Sequence, residues 1–323
     1  MCYNPDKEVI YMNEKVKILL DLNIDGDCTN LCSLAILNIL ANRGDAEILA
    51  TTACFKSPLA TGCIKAINRY YGHPDIPVGI LHRQEATHPT PFMKPVNEKF
   101  CPDYPDGEDV PDTVEIMRKT LAAQDDDSVV LTVVGCFASV EALLRSEADE
   151  YSPLDGQTLA EKKIKKIVVM GGGFPSFHSK EQFPENNIAV QIPAAQYVAE
   201  HWSKPLILSA YEIGIRTKSL REFRYHGSDE NPLHMMYVIN DGDGFTEGNP
   251  SWDQTAVLES VYPEKYFYYH GCGKLTVTDD GRTVLDDKAE GKHTYLLPKV
   301  PFNSIAAEIN DMIFPEWRNF SDK

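Results

Sequence analysis

The chain has 323 residues, with 31 Lys and Arg against 48 Asp and Glu for a formal net charge of −17, and 43% of its residues are hydrophobic. That balance describes a soluble globular protein and argues against nucleic acid or an anionic membrane surface as partner, because both need a basic stripe that displaces counterions. No run approaches the ~18 consecutive apolar residues of a membrane span, and residues 1–14 read as a polar N-terminal extension with no signal-peptide core. The eight cysteines form no CxxC pair and fall mostly inside apolar patterns, which predicts a reducing, cytoplasmic setting and no zinc site.

In chain order, Lys15–Asn23 is an apolar run ending in polar residues, and Thr29–Ala41 carries apolar residues at helical spacing up to Gly44. The strand and helix rhythm returns at Glu47–Ala53 and Leu59–Tyr70. It returns again at Ser128–Gly135 and Ala138–Arg145, at Lys166–Gly172, and at Pro193–Trp202 followed by Pro205–Ser209. Strands alternating with crossover helices predict an α/β fold with a mostly parallel, Rossmann-like sheet covered by helices on both faces. Leu81–Pro111 holds six prolines and reads as a long irregular excursion. The lysines 162, 163, 165 and 166 read as a solvated helix end before a buried strand. Near the C-terminus, Lys274–Thr278 and Arg282–Leu285 flank Asp279-Asp280-Gly281, the signal of a small hairpin, and Phe302–Ile313 reads as a closing helix. No composition break marks a linker, so residues 15–323 are expected to form a single domain with insertions.

The first strand ends in DLNIDGDCTN, which places Asp21, Asn23, Asp25, Asp27, Thr29 and Asn30 at the carboxyl edge of the expected sheet, where ligands of such folds bind. Oxygen atoms at that density suit a hard cation or a sugar diol. Equally, Asp27, Thr29 or Asn30 could cap the following helix while the others form a polar turn. Gly171-Gly172-Gly173 follows a strand without a nucleotide-loop spacing, and is expected to allow close backbone approach at a pocket floor.

These residues resemble those of the inosine-uridine-type nucleoside hydrolases, one subgroup of which carries DTDIGGDxDD at this place. Further segments resemble the family in order along the chain: TTACFKSP, AINRYYGHPDIPVG, SVVLTVVG, IVVMGGG, EQFPENNIAVQIPAAQYVAEHW and PSWDQTAVL. The resemblance implies a nucleoside hydrolase-like fold, a ribose-shaped pocket for a small-molecule ribosyl ligand, and a homodimer or homotetramer. It also implies a chemistry. Breaking an N-glycosidic bond passes through an oxocarbenium-like cation, so the family uses a calcium ion to orient water and the ribose diol while an aspartate takes the proton.

Carried over position by position, Asp21 and Asp27 match aspartates, whereas the calcium-binding proton acceptor falls on Asn23 and a second calcium carboxylate on Asn30. An amide accepts no proton at neutral pH. The resemblance leaves Asp253 and the backbone of Val134 as the remaining metal ligands, makes Glu185 and Asn187 the ribose-gripping pair, and puts Trp252 where many members have histidine. Lys56 stands at a family asparagine, and either directs its ammonium toward the aspartates or points to solvent. With one metal carboxylate in place of three, calcium is expected to bind weakly or not at all, and no cofactor is expected. The implied function is therefore a nucleoside hydrolase-like protein in which calcium-dependent hydrolysis is lost or redirected. The alternative is an active N-ribosyl hydrolase that uses Asp21, Asp25 or Asp27 as base.

Overall fold

The computed structural model describes residues 14–24, 28–85, 90–103, 110–175, 182–241 and 246–320. Six parallel strands, β1 (Val16–Leu22), β2 (Ala46–Ala53), β3 (Val78–Ile80), β4 (Val129–Val133), β5 (Ile164–Met170) and β6 (Leu206–Ser209), build the larger part of a sheet. A separate two-stranded ladder joins β7 (Lys218–Ser219) to β8 (Asn249–Pro250). The C-terminal strands β9 (Phe267–Val277), β10 (Thr283–Asp286) and β11 (His293–Pro298) complete a nine-stranded sheet of order β10-β9-β11-β6-β5-β4-β1-β2-β3.

Side chains alternate across a strand, and β1 shows what that alternation achieves. Ile18, Leu20 and Leu22 join a core with the helix Thr29–Arg43, while Leu19 joins a second core with Leu131, Val133 and the helices Ala138–Leu144 and Ile192–His201. Both faces of the sheet are covered, as the near-continuous apolar strands require. Each fully buried leucine here contributes about 1.5–3 kcal/mol, and a one-residue slip would turn Asp21 into the opposite core, so the register is strongly specified.

The expected C-terminal hairpin is present, β9 and β10 pairing antiparallel across Asp279-Asp280-Gly281, and it belongs to the main sheet, because β11 pairs parallel with β6 and antiparallel with β9. Gly271 and Gly273 hid the first half of β9. Glycines read as strand breakers, yet a Cβ on Gly273 would lie 2.0 Å from the Asp286 carbonyl oxygen, so this crowded strand crossing requires glycine. The stretch Leu81–Pro111 is not irregular throughout, since Met93–Phe100 is helical. Pro95 falls in that helix's first turn, where its missing N–H leaves no hydrogen bond unmade. The lysine cluster divides: Lys162 and Lys163 pair with Asp126, and β5 already begins at Ile164. Among the described residues no helix is long and apolar enough to cross a membrane.

The strand order reverses at β1, which has β2 on one side and β4 on the other. A crevice outside the carboxyl ends of β1 and β4 is the consequence.

Candidate functional site

At that crevice the backbone of β1 is fixed from both sides. Val134 N–H donates to the Asp21 carbonyl at 2.8 Å and Cys54 N–H to the Leu22 carbonyl at 2.9 Å. A Cβ on Gly135 would lie 2.9 Å from Asn23 N and 2.7 Å from Cys54 Sγ, so a glycine here lets the end of β4 close against Asn23. Asn23 N–H in turn donates to Asn30 Oδ1 at 2.8 Å, and Thr29 Oγ1 donates to Asp253 Oδ2 at 2.7 Å. The N-cap of helix Thr29–Arg43 is Cys28, and it makes no side-chain capping bond. Thr29 and Asn30 thus serve tertiary contacts, one of them spanning 224 residues of sequence.

Asp253 lies in the first turn of the helix Trp252–Val261, only 2% exposed, where the positive end of the helix favours its carboxylate. Beside it the Trp252 indole lies over Gly214, where a Cβ would come within 2.2 Å of Trp252 Cδ1, and its Nε1–H donates to the Tyr211 carbonyl at 3.2 Å. Tyr211 packs at 5.6 Å from Trp252 and edge-on at 4.8 Å from Phe183, which makes an aromatic wall. Opposite chemistry comes from the loop after β5. Glu185 is the N-cap of the short helix Asn186–Ala189, accepting from Asn187 N at 3.0 Å and from Gly172 N at 3.1 Å. Asn187 Nδ2 donates to the Met170 carbonyl at 3.1 Å. Asn23, Asn30, Glu185, Asn187, Trp252 and Asp253 all line one cavity of about 410 Å³, together with Thr29, Met170, Phe183 and Tyr211.

The C-terminal edge of the sheet holds this loop. Thr283 Oγ1 accepts from Gly173 N and donates to Gly173 O, each at 3.0 Å, and the Thr283 carbonyl accepts from Gln182 Nε2 at 3.0 Å. Gly172 sits at φ +83°, a conformation that favours glycine, and a Cβ there would already lie 3.0 Å from Thr283 Oγ1. The triple glycine therefore gives the close backbone approach expected of it, and its amide reaches Glu185.

Burial raises Glu185 to about 7, although four backbone N–H groups pull the other way. Asp21 is also raised to about 7 by burial, with the Thr52 hydroxyl, 2.7 Å from Oδ1, and then Ser139 opposing the shift. Asp21 is 0% exposed, its Oδ2 makes no hydrogen bond among the described residues, and it is not part of the cavity wall. It lies in the sheet beneath the site. Lys56 directs its ammonium to Glu85: its side chain is 47% exposed, with Nζ 3.4 Å from Glu85 Oε1, and its backbone pairs with the segment around Gln84 and Glu85. Asp25 and Asp27 lie outside the described residues.

Calcium takes roughly six to eight oxygen ligands and gains affinity with their charge. The expected positions Asn23, Asn30, Val134 and Asp253 offer one carboxylate, whose Oδ2 already receives the Thr29 hydroxyl, while Asn30 Oδ1 receives Asn23 N–H. Among the described residues no group of three His, Cys, Asp or Glu could hold a metal ion. These donors do not fit calcium.

Phe183, Tyr211 and Met170 were not singled out from the sequence. Phe183 sits in the quoted EQFPENN segment, and Tyr211 and Met170 stand at the carboxyl ends of β6 and β5, positions that the α/β rule for ligand sites would have found.

No protein-family model and no curated protein sequence matches the chain. Solved structures do match its fold. A plant nucleoside hydrolase superposes with a TM-score of 0.67 at 16% identity, over 92% of this chain and 98% of the other. An inosine-uridine preferring nucleoside hydrolase from Bacillus anthracis gives 0.65 at 17% identity, over 92% and 99%. The type III effector protein XopQ, solved in complex with adenosine diphosphate ribose, gives 0.61 at 13% identity, over 88% of each chain. The chain therefore has the α/β fold of the nucleoside hydrolases.

Proposed function

We propose that the chain is a nucleoside hydrolase-like protein whose cavity takes the ribosyl part of a small-molecule riboside, and in which calcium-dependent hydrolysis is lost or redirected. One observation carries this reading: a single cavity brings Glu185, Asn187 and Asp253 together while Asn23, on the same wall, is an amide. The three retained groups are hydrogen-bond acceptors suited to a polyol. An aromatic wall of Phe183, Tyr211 and Trp252 suits a flat ring at the other end of the ligand. At the position where the family carries its proton acceptor the chain has Asn23, and an amide does not take a proton from the attacking water. Asp21 is a poor replacement because it lies under the cavity, and both carboxyl oxygens of Glu185 already receive backbone N–H groups. The proposal includes a cytoplasmic protein assembled as a homodimer or homotetramer.

A nucleoside panel followed in two ways tests it. Ribosides should stabilise the fold by mass action, by about 2.7 kcal/mol at a hundredfold excess over the dissociation constant. Their 2′-deoxy counterparts should stabilise less, because a lost hydroxyl leaves buried acceptors unpaired at about 1–3 kcal/mol each. Base release measured on the same panel should remain at the uncatalysed level with or without calcium. Rapid calcium-dependent release would overturn the loss, and equal shifts for ribo and deoxy forms would remove the ribose site.

A further inference from the structure

The cavity wall is rich in acceptors. Asp253 and Glu185 are carboxyl groups, and Asn187 uses Nδ2 on the Met170 carbonyl, which leaves its Oδ1 without a partner among the described residues. A ribose hydroxyl, however, both donates and accepts, so acceptors alone satisfy only its proton. Among the donor-bearing side chains of the wall, Asn30 is the one whose orientation the β1 end sets. Its amide orientation is fixed by the backbone, because Oδ1 accepts Asn23 N–H at 2.8 Å and the flipped amide would set N–H against N–H. Nδ2 is thereby the end that remains. Asn30 is only 4% exposed, it lines the cavity, and Nδ2 has no hydrogen-bond partner among the described residues.

We propose that Asn30 is a specificity-determining residue that holds the riboside without a metal ion, its fixed side-chain N–H groups donating to a ligand oxygen on the wall where Asp253 accepts. The inference rests on the ribosyl function proposed above and goes further by naming the group that takes the ligand's lone pair. It also accounts for the poor fit to calcium. A cation at this wall would face the positive edge of the Asn30 amide, whereas an oxygen lone pair finds there a donor already oriented. Neutral ligands with hydroxyl or ether oxygens are favoured, and ammonium groups at that point are disfavoured.

Calorimetric titration with adenosine and with 2′-deoxyadenosine, each in chelator and in calcium chloride, tests the assignment on the whole chain. The wild type should bind adenosine equally in both buffers. Asn30→Asp keeps an acceptor for Asn23 N–H but deletes the donor, and should weaken adenosine in chelator by about tenfold or more. Asn30→Ala, checked for folding by its melting temperature, should lose a similar factor. In the wild type the Asn30 side-chain amide resonances should move when adenosine is added. Adenosine binding in chelator that survives both substitutions, or wild-type binding that appears only with calcium, overturns the assignment of Asn30. If the wild type binds no riboside in either buffer, the proposed function itself fails and the role of Asn30 falls with it.

Discussion

Replacing Asp21 with asparagine should make the protein more stable at alkaline pH and remove part of its pH dependence. Asp21 is raised from 3.8 to about 7 by burial. A folded pKa above the unfolded one means that the neutral form is favoured by folding. The corresponding stability is complete below the unfolded value near 3.8 and disappears as pH rises through about 7. Three units at about 1.36 kcal/mol each set an upper scale on the order of 4 kcal/mol. An asparagine in its place would carry no charge at any pH. Its amide can be placed with Oδ1 accepting from Thr52 and Nδ2 beside the Ser139 hydroxyl, so the substitution should be nearly neutral at about pH 4. Urea unfolding followed from about pH 4 to pH 8.5 should give wild-type stability falling more steeply than that of D21N. Glu185 and Glu259, both raised to about 7 by burial, titrate in the two proteins alike and leave the difference to Asp21. Identical pH slopes would refute the reasoning. Because Asp21 is outside the cavity wall, D21N should also retain riboside binding.

Thr283→Val should free Gly173 and loosen Glu185, costing about 1–3 kcal/mol in thermal denaturation and lowering riboside affinity, whereas Thr283→Ser should restore both; an unchanged affinity in T283V would separate the hairpin from the site. Gly214→Ala places a methyl group 2.2 Å from Trp252 Cδ1, and should both destabilise the chain and alter the indole fluorescence, a change that tryptophan emission spectra would detect. Asn23→Asp with Asn30→Asp should raise calcium affinity in calorimetry by restoring two carboxylates. Adding Lys56→Asn to that double variant should change calcium affinity little, because the Lys56 ammonium is turned toward Glu85; a large gain from the third change would contradict this placement.

The alternation of strands and helices was legible at β1, β2 and β4, where a short apolar run precedes a helical stretch, whereas β3, only Val78–Ile80, was not. Phe302–Ile313 is helical over the expected span, and β1, β2 and β6 lie within a residue or so of theirs. β11 was not legible, since His293–Pro298 is placed by a long-range pairing with β6. In the site, the polar run after β1 announced itself by composition, but whether Thr29 and Asn30 cap a helix or reach across the molecule depends on Asp253 and Asn23, which sequence spacing does not settle. The reach of Lys56 had the same origin: a flexible side chain follows its backbone, and here the backbone pairs with the segment around Glu85. Tyr211 and Phe183 carry no motif of their own; in the fold Tyr211 packs on Trp252 and Phe183 on Tyr211.

The most direct measurement is a crystal structure of the protein soaked with adenosine in the presence of calcium. The expected result is an intact riboside, its sugar between Glu185 and Asp253, its base against Tyr211 and Trp252, and no calcium at Asn23. Free ribose with a calcium ion bound by Asp253 and Asn23, or a cavity left empty, would contradict the proposed function.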